Sequence, residues 1–217
     1  MKVIMIVSAQ MLILLLSLIP EIGSAKEPYW EENRIDLSGL KGEQILVLES
    51  TINQLRALQP DKIKINKKVY RRLSRFEELF GFVFNGKDLS RWLLTRIKSV
   101  SYRNTWTAAV NQDQGDFVLG DFFFTKMTMV ERLYSLIHEG RHSDDEGYEH
   151  IKCPKGFKYI SARQPEMDLE SKQTCDDNDK GAYSYQAAFL FELFAYGLFD
   201  QEKAGLLYNS SISRVVP

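Results

Sequence analysis

Residues 128–142, TMVERLYSLIHEGRH, carry a helix start and a metal-binding pattern in one stretch. Thr128 and Glu131 have the Ser/Thr-x-x-Glu spacing of a capping box, so we expect a helix to begin at Thr128. Apolar residues then recur at helical spacing and would anchor one side of this helix in a core. These residues are Val130, Leu133, Leu136 and Ile137.

The other side of this helix has the pattern His-Glu-x-x-His at residues 138–142. Histidines four positions apart lie one above the other on a helix, so His138 and His142 can reach one tetrahedral cation. Glu139 would stand beside the metal's water without being a ligand, which is the position of a general base. Bound zinc lowers the pKa of that water to about 7. The sequence therefore predicts a zinc cofactor, two histidine ligands and a catalytic Glu139.

A catalytic zinc site needs a third protein ligand and an open position. His150 is the first choice, because Gly147 can supply the turn that brings the chain back to the helix. Glu192 is the second choice, because an acid within so apolar a segment needs a partner. Asp144 and Asp145 come third, and we expect them rather to orient a ligand histidine.

Two further sets of side chains have candidate roles. Tyrosines near the site could donate a hydrogen bond to a developing oxyanion, although such residues more often belong to a core or rim. They are Tyr148, Tyr159, Tyr183 and Tyr185. A basic run could meet an anionic envelope polymer or membrane surface, although a solvated helix face is the commoner explanation. It comprises Lys62, Lys64, Lys67, Lys68, Arg71, Arg72 and Arg75.

Patterns on both sides of this stretch predict an α+β fold, with one compact domain over residues 43–208, a small antiparallel sheet and the active-site helix. A polar arm at 26–42 should precede the domain, and a loose tail at 209–217 should follow it. Helical spacing is seen in Ile45–Gln59, Lys68–Phe80, Leu89–Ile97 and the buried Ala182–Phe199, while Thr105–Val110 and Asp116–Phe124 indicate a β-hairpin.

The first 25 residues have the character of a signal peptide. A positive Lys2 precedes an apolar run that Pro20 ends, and small residues suit cleavage after Ala25. Both cysteines, Cys153 and Cys175, lie in the exported part, where an oxidising compartment favours a disulfide. We therefore expect a secreted or periplasmic protein with no stable membrane span after cleavage.

Composition narrows the classes of partner. The chain has 217 residues, 44% hydrophobic and 26% charged, which suits one ordinary globular domain. The net charge is −1, so the broad basic field that nucleic-acid binding requires is missing. We expect a peptide or protein substrate, with the cell envelope as one source, and no nucleic acid.

The chain resembles the zincin class of metallopeptidases through His138-Glu139-x-x-His142 and the strand-rich segment before it. The resemblance implies a zincin-like domain, a zinc ion and an edge strand that holds an extended substrate. Residues 136–144, 150–156, 175–176 and 181–184 also look like a group of poorly characterised exported bacterial proteins, and the stretch from 136 to 184 that contains them is roughly a quarter of the chain. Tyr148 stands where one zincin branch has its third histidine, and Glu192 lies at an untypical distance for the branch with a ligand glutamate.

The function we expect from these observations is that of an exported zinc-dependent hydrolase that cleaves a peptide or amide bond. Two alternatives remain open at this point. One is an exported protein with a structural zinc that four protein ligands close. The other is an envelope-binding module that uses the basic run and does not depend on metal.

Overall fold

A computed structural model describes residues 28–105, 108–144, 149–162 and 167–216. The expected signal peptide at 1–25 lies outside these residues, as do Asp145, Gly147 and Tyr148. In the described part of the chain, no helix is long and apolar enough to cross a membrane.

The structure combines helices with two small sheets, which confirms the α+β class. Its helices, in chain order, are α1 (Pro28–Glu32), α2 (Gly42–Arg56), α3 (Lys67–Leu73), α4 (Phe76–Phe80), α5 (Gly86–Leu94), α6 (Asp121–Thr125), α7 (Met129–His142), α8 (Ala182–Tyr196) and α9 (Gln201–Ile212). Its strands are β1 (Asp36–Gly39), β2 (Ser99–Arg103), β3 (Ala109–Asn111), β4 (Asp116–Gly120), β5 (Ile151–Lys152) and β6 (Gln173–Cys175).

The larger sheet has the order β1-β2-β4-β3. The predicted hairpin is present, because β3 pairs antiparallel with β4 and places Val110 opposite Val118. The other two pairings, β1 with β2 and β2 with β4, are parallel, so this sheet is mixed rather than antiparallel. The sequence did not predict strand β2, because Val100 is its only fully buried residue and the strand therefore shows no alternation of apolar residues. Strands β5 and β6 form a separate antiparallel pair.

One hydrophobic core lies between the sheet and the central helices. Helix α8 packs against both α7 and α9, and nearly all of its residues are buried. Helix α7 also contacts strand β3, which places the end of this helix against the edge of the sheet. Helix α8 and the sheet therefore both contact the helix that carries His138 and His142.

Two predictions about the ends of the domain are wrong. The expected arm at 26–42 is part of the core, because α1 buries Tyr29 and Trp30 and β1 joins the sheet. The expected loose tail at 209–217 is helical as far as Ile212. Beyond that helix, the backbone N–H of Val216 donates to the Asp176 carbonyl at 2.9 Å. In both cases the polar composition of the segment predicted an exposed stretch, because the apolar residues against which it packs are distant in sequence.

Two internal boundaries also differ from the sequence prediction. The expected helix at 68–80 is two helices, separated at Ser74, whose backbone is extended and whose hydroxyl donates to Glu192. The expected strand to Phe124 ends at Gly120, and helix α6 follows. Phe122–Phe124 look like a strand by composition, but in α6 only Phe123 is fully buried.

Candidate metal centre

Helix α7 presents His138, Glu139 and His142 from its last turn and a half. The capping box is formed as predicted, since the Thr128 N–H donates to the Glu131 carboxylate at 2.7 Å. The predicted apolar face is buried throughout. Gly140 lets the helix pass close to α5, because a Cβ there would lie 3.0 Å from the Leu93 side chain.

Three imidazoles converge at the C-terminal end of α7. The Nε2 atoms of His138 and His150 lie 3.0 Å apart, and those of His138 and His142 lie 3.3 Å apart. Ligand atoms of the three histidines all fall within 4.8 Å of one another. The structure therefore brings the predicted third residue, His150, to the predicted pair, and the three side chains could hold a metal ion.

The spacing of these nitrogens suits a cation better than hydrogen bonds. A ring nitrogen carries either one hydrogen or one lone pair, so Nε2 of His138 cannot bond with both neighbouring rings. Two nitrogens bound to one tetrahedral zinc at 2.0–2.1 Å are about 3.3 Å apart. Burial, followed by the neighbouring His142 and His150, holds the pKa of His138 well below its ordinary value. His138 is thus a neutral imidazole, the form that binds metals.

His150 is held in place by a carboxylate that the sequence did not single out. Its Nδ1 lies 2.9 Å from Oδ1 of Asp176, so Nε2 is left to face the other histidines. A carboxylate on the far nitrogen fixes the tautomer and orientation of a metal-binding histidine. The sequence signal for this contact was the predicted disulfide, since Asp176 directly follows Cys175 and the bond brings it near Cys153, three residues after His150.

The Cys153–Cys175 disulfide is present, as predicted, with a Cα–Cα distance of 5.0 Å. It joins Cys153, which directly follows β5, to Cys175 in β6, the residue before Asp176. Closing a loop of this length stabilises the fold by about 3 kcal/mol in the loop-entropy account. The bond therefore fixes the histidine and its carboxylate partner relative to each other.

Asp176 also links the metal centre to two other elements. Its Oδ2 accepts the Tyr183 N–H at the start of α8 at 2.7 Å, where the helix dipole favours a negative charge. Its backbone N–H donates to the Arg214 carbonyl at 2.9 Å. Gly181 is required here, because a Cβ at that position would overlap the Asp176 carboxylate.

Glu139 is buried at the boundary between α7 and the sheet. Its Oε2 accepts the Asn111 N–H of edge strand β3 at 2.9 Å. The Asn111 side chain donates to the Glu139 carbonyl at 3.0 Å and to Ser143 at 2.8 Å. Burial raises the pKa of Glu139 to about 7, and the Asn111 N–H opposes that shift.

His138 and Glu139 both line a cleft of about 900 Å³. Its lining includes apolar residues, namely Ala108, Ala109, Phe122, Met167, Leu206 and Leu207. Polar side chains also line the cleft, among them Tyr183, Gln186 and Arg214. The cleft is large enough to take several residues of a peptide or another ligand of that size.

The three rival ligand candidates lie elsewhere or outside the described residues. Glu192 accepts hydrogen bonds from Ser74 at 2.6 Å and from Tyr70 at 3.0 Å, so its carboxylate serves the interface of α8 with the preceding helices. Asp144 pairs with Arg96 at 2.9 Å and with Arg141. The prediction that Asp144 orients a histidine is wrong, because two arginines occupy its oxygens. Asp145 is not among the described residues.

Among the described residues, none of these tyrosine hydroxyls forms a hydrogen bond with a histidine. The Tyr159 hydroxyl donates to the Pro154 carbonyl and that of Tyr185 to the Leu79 carbonyl. Tyr183 places its ring centroid 4.6 Å from that of His138, but Arg214 and Thr174 bind its hydroxyl. Tyr148 lies outside the described residues.

The basic run lies on the surface, around helix α3, which buries none of its residues. Arg75 pairs with Glu78 at 2.7 Å and with Asp179 at 3.0 Å. Within the described residues, the other members of the run form no ion pair with a carboxylate. We refer to Lys62, Lys64, Lys67, Lys68, Arg71 and Arg72 as the basic surface.

Comparisons with protein-family models, curated proteins and solved structures find no match to this chain.

Proposed function

We propose that the protein is an exported zinc-dependent hydrolase that cleaves a peptide or amide bond, with a zincin-like site. The observation that carries this proposal is the convergence of three imidazoles, one of which, His138, lines a cleft together with the buried Glu139. Imidazole nitrogens are suitable ligands for zinc and for several other transition metals. Among the described residues the donor group has three members, which is the number that leaves a position open for water in catalytic zinc sites.

Each residue of the site would have its own role. His138, His142 and His150 would hold the ion, and Asp176 would keep His150 in the binding orientation. When bound, zinc supplies Lewis-acid chemistry and lowers the pKa of a coordinated water. Glu139 takes a proton from the attacking water and passes it to the leaving amine. Asn111 fixes the carboxylate of Glu139 by its backbone N–H, so the base keeps its place during that transfer.

Export is part of the proposal, and it is supported by the disulfide. Disulfide bonds persist in secreted and periplasmic compartments and are rare in the reducing cytosol. The bond lies three residues beyond His150, so a metal centre built in this way suits an oxidising compartment. Intact-mass measurement of the exported protein should show a chain that begins at Lys26 and gains two hydrogens on reduction.

Replacing Glu139 by Gln tests the catalytic role. Glu139→Gln keeps the size of the side chain and should leave zinc stoichiometry unchanged, while hydrolysis of a quenched fluorescent peptide pool falls at least about 100-fold. Glu192→Gln is the matched control, because it changes a buried glutamate that lies outside the cleft. Equal turnover in the parent and Glu139→Gln would refute the mechanism.

Envelope binding is the second candidate, and the unpaired charges of the basic surface favour it. Binding of this kind would survive removal of the metal and would weaken with salt. Co-sedimentation of the chelated protein with an anionic cell-wall polymer would test it. Reversing Lys68 and Arg72 to Glu should abolish such binding, and loss of binding on chelation alone would contradict it.

A further inference from the structure

Arg214 lies in the cleft of the metal centre although it belongs to the C-terminal segment. It lines the same cleft as His138 and Glu139. The Tyr183 ring is close to both His138 and Arg214: its centroid lies 4.6 Å from that of the His138 ring and 4.9 Å from Cζ of Arg214.

The guanidinium is held in a fixed orientation. Its Nη1 donates to the Tyr183 hydroxyl at 2.6 Å and to Thr174 at 3.0 Å. The backbone of the same residue is bound to Asp176, through the Arg214 carbonyl. An arginine fixed by neutral groups is preorganised and loses little entropy when it binds a further partner.

The charge of Arg214 has no counter-ion in the described part of the chain. Its hydrogen-bond partners are both hydroxyls, and its Nε is buried with no hydrogen-bond partner. The nearby Asp176 gives its carboxylate oxygens to His150 and Tyr183. A half-buried cation beside a site for a second cation is costly unless an anion enters.

Lys203, a second cation among the described residues that line the cleft, differs in this respect. Its Nζ lies 3.9 Å from the Glu131 carboxylate and 3.2 Å from the Thr128 hydroxyl. The charge of Lys203 is therefore compensated within the protein. The cleft has a compensated cation near the start of α7 and an uncompensated one near the histidines.

We propose that Arg214 binds a carboxylate of the substrate, an inference that rests on the proposed peptide hydrolase. Arginine presents several N–H donors in a planar fork that matches a carboxylate. The carboxylate would be the free C-terminus of a peptide or an acidic side chain close to the bond that is cleaved. The apolar residues that line the cleft would take the neighbouring uncharged side chains.

Binding of matched peptides tests this inference without turnover. The first pair is N-acetyl-Ala-Phe-Ala-Ala as the free acid and as the amide. The second pair is the amide N-acetyl-Ala-Phe-Glu-Ala and its Gln counterpart. Calorimetry with zinc-loaded Glu139→Gln protein, and again with metal-free parent protein, gives the ratio of dissociation constants within each pair.

We expect the acid member of at least one pair to bind about 10- to 100-fold more tightly than its neutral partner, as charged hydrogen bonds do. Preference in the first pair identifies a terminal carboxylate, and preference in the second identifies an acidic side chain. Arg214→Met should bring the ratio close to one while the neutral peptide binds as before. A purely structural role would weaken both members equally and leave the ratio unchanged.

Lys203→Met is the matched control and should keep the ratio of the parent. Arg214→Lys keeps the charge but not the fork, and it should give an intermediate ratio if Arg214→Met fails to fold. Ratios near one in the parent for both pairs, or a ratio that persists in Arg214→Met, would overturn the inference. If the protein hydrolyses peptides but the ratio of dissociation constants does not depend on Arg214, the proposed hydrolase stands and the carboxylate subsite is refuted. If the ratio depends on Arg214 but no hydrolysis is found, the subsite stands and the proposed hydrolase is refuted.

Discussion

Removing the charge of Asp176 should weaken the metal centre without touching a ligand. Asp176→Asn keeps the shape of the side chain and both backbone hydrogen bonds of residue 176. It removes the anion that lies 2.9 Å from Nδ1 of His150 and accepts the Tyr183 N–H at 2.7 Å. Loss of such a partner typically lowers metal affinity 10- to 100-fold, which corresponds to about 1.4 to 2.7 kcal/mol.

Competitive titration against a chromophoric chelator at pH 7 measures this change in zinc affinity. Asp144→Asn is the matched control, because Asp144 binds Arg96 and Arg141 and no histidine. We expect the control to change zinc affinity by no more than about twofold. Equal affinity in Asp176→Asn and the parent, or a larger loss in Asp144→Asn, would refute the reasoning about which carboxylate orients His150.

Two further predictions concern stability. Reduction of the Cys153–Cys175 bond should lower the free energy of unfolding by about 3 kcal/mol and weaken zinc binding; melting curves and zinc titrations that reductant leaves unchanged would contradict this. Burial raises the pKa of Glu192, so its contribution to stability is complete below the unfolded pKa of about 4.3 and is lost as pH rises through the folded pKa. Glu192→Gln should therefore gain stability relative to the parent from about pH 5 upward; a pH-independent difference in melting temperature would disprove it.

The parts of the centre that could be predicted depend on local spacing or covalent chemistry. The capping box at Thr128 and the buried face of α7 follow from helix geometry, and the positions of His138 and His142 follow from it too. The disulfide follows from the number of cysteines and the expected compartment. It fixes the region of His150, so the third histidine also lay within reach of sequence reasoning.

The parts that could not be predicted depend on contacts between distant segments. Asp176 meets His150 across 26 positions, and no periodicity marks such a pair. Arg214 escaped notice because a polar C-terminal segment resembles a tail until its backbone partner, Asp176, is known. The break at Ser74 has the same origin, since its hydroxyl bonds to Glu192 in α8.

The central claim is that three histidines hold a zinc ion with a position left open. A crystal structure of the zinc-loaded mature protein, with anomalous data on both sides of the zinc edge, tests it most directly. We predict one anomalous peak at about 2.0–2.1 Å from Nε2 of His138, His142 and His150, with a water as the fourth ligand. A peak elsewhere, or a fourth protein ligand that closes the site, would contradict the account.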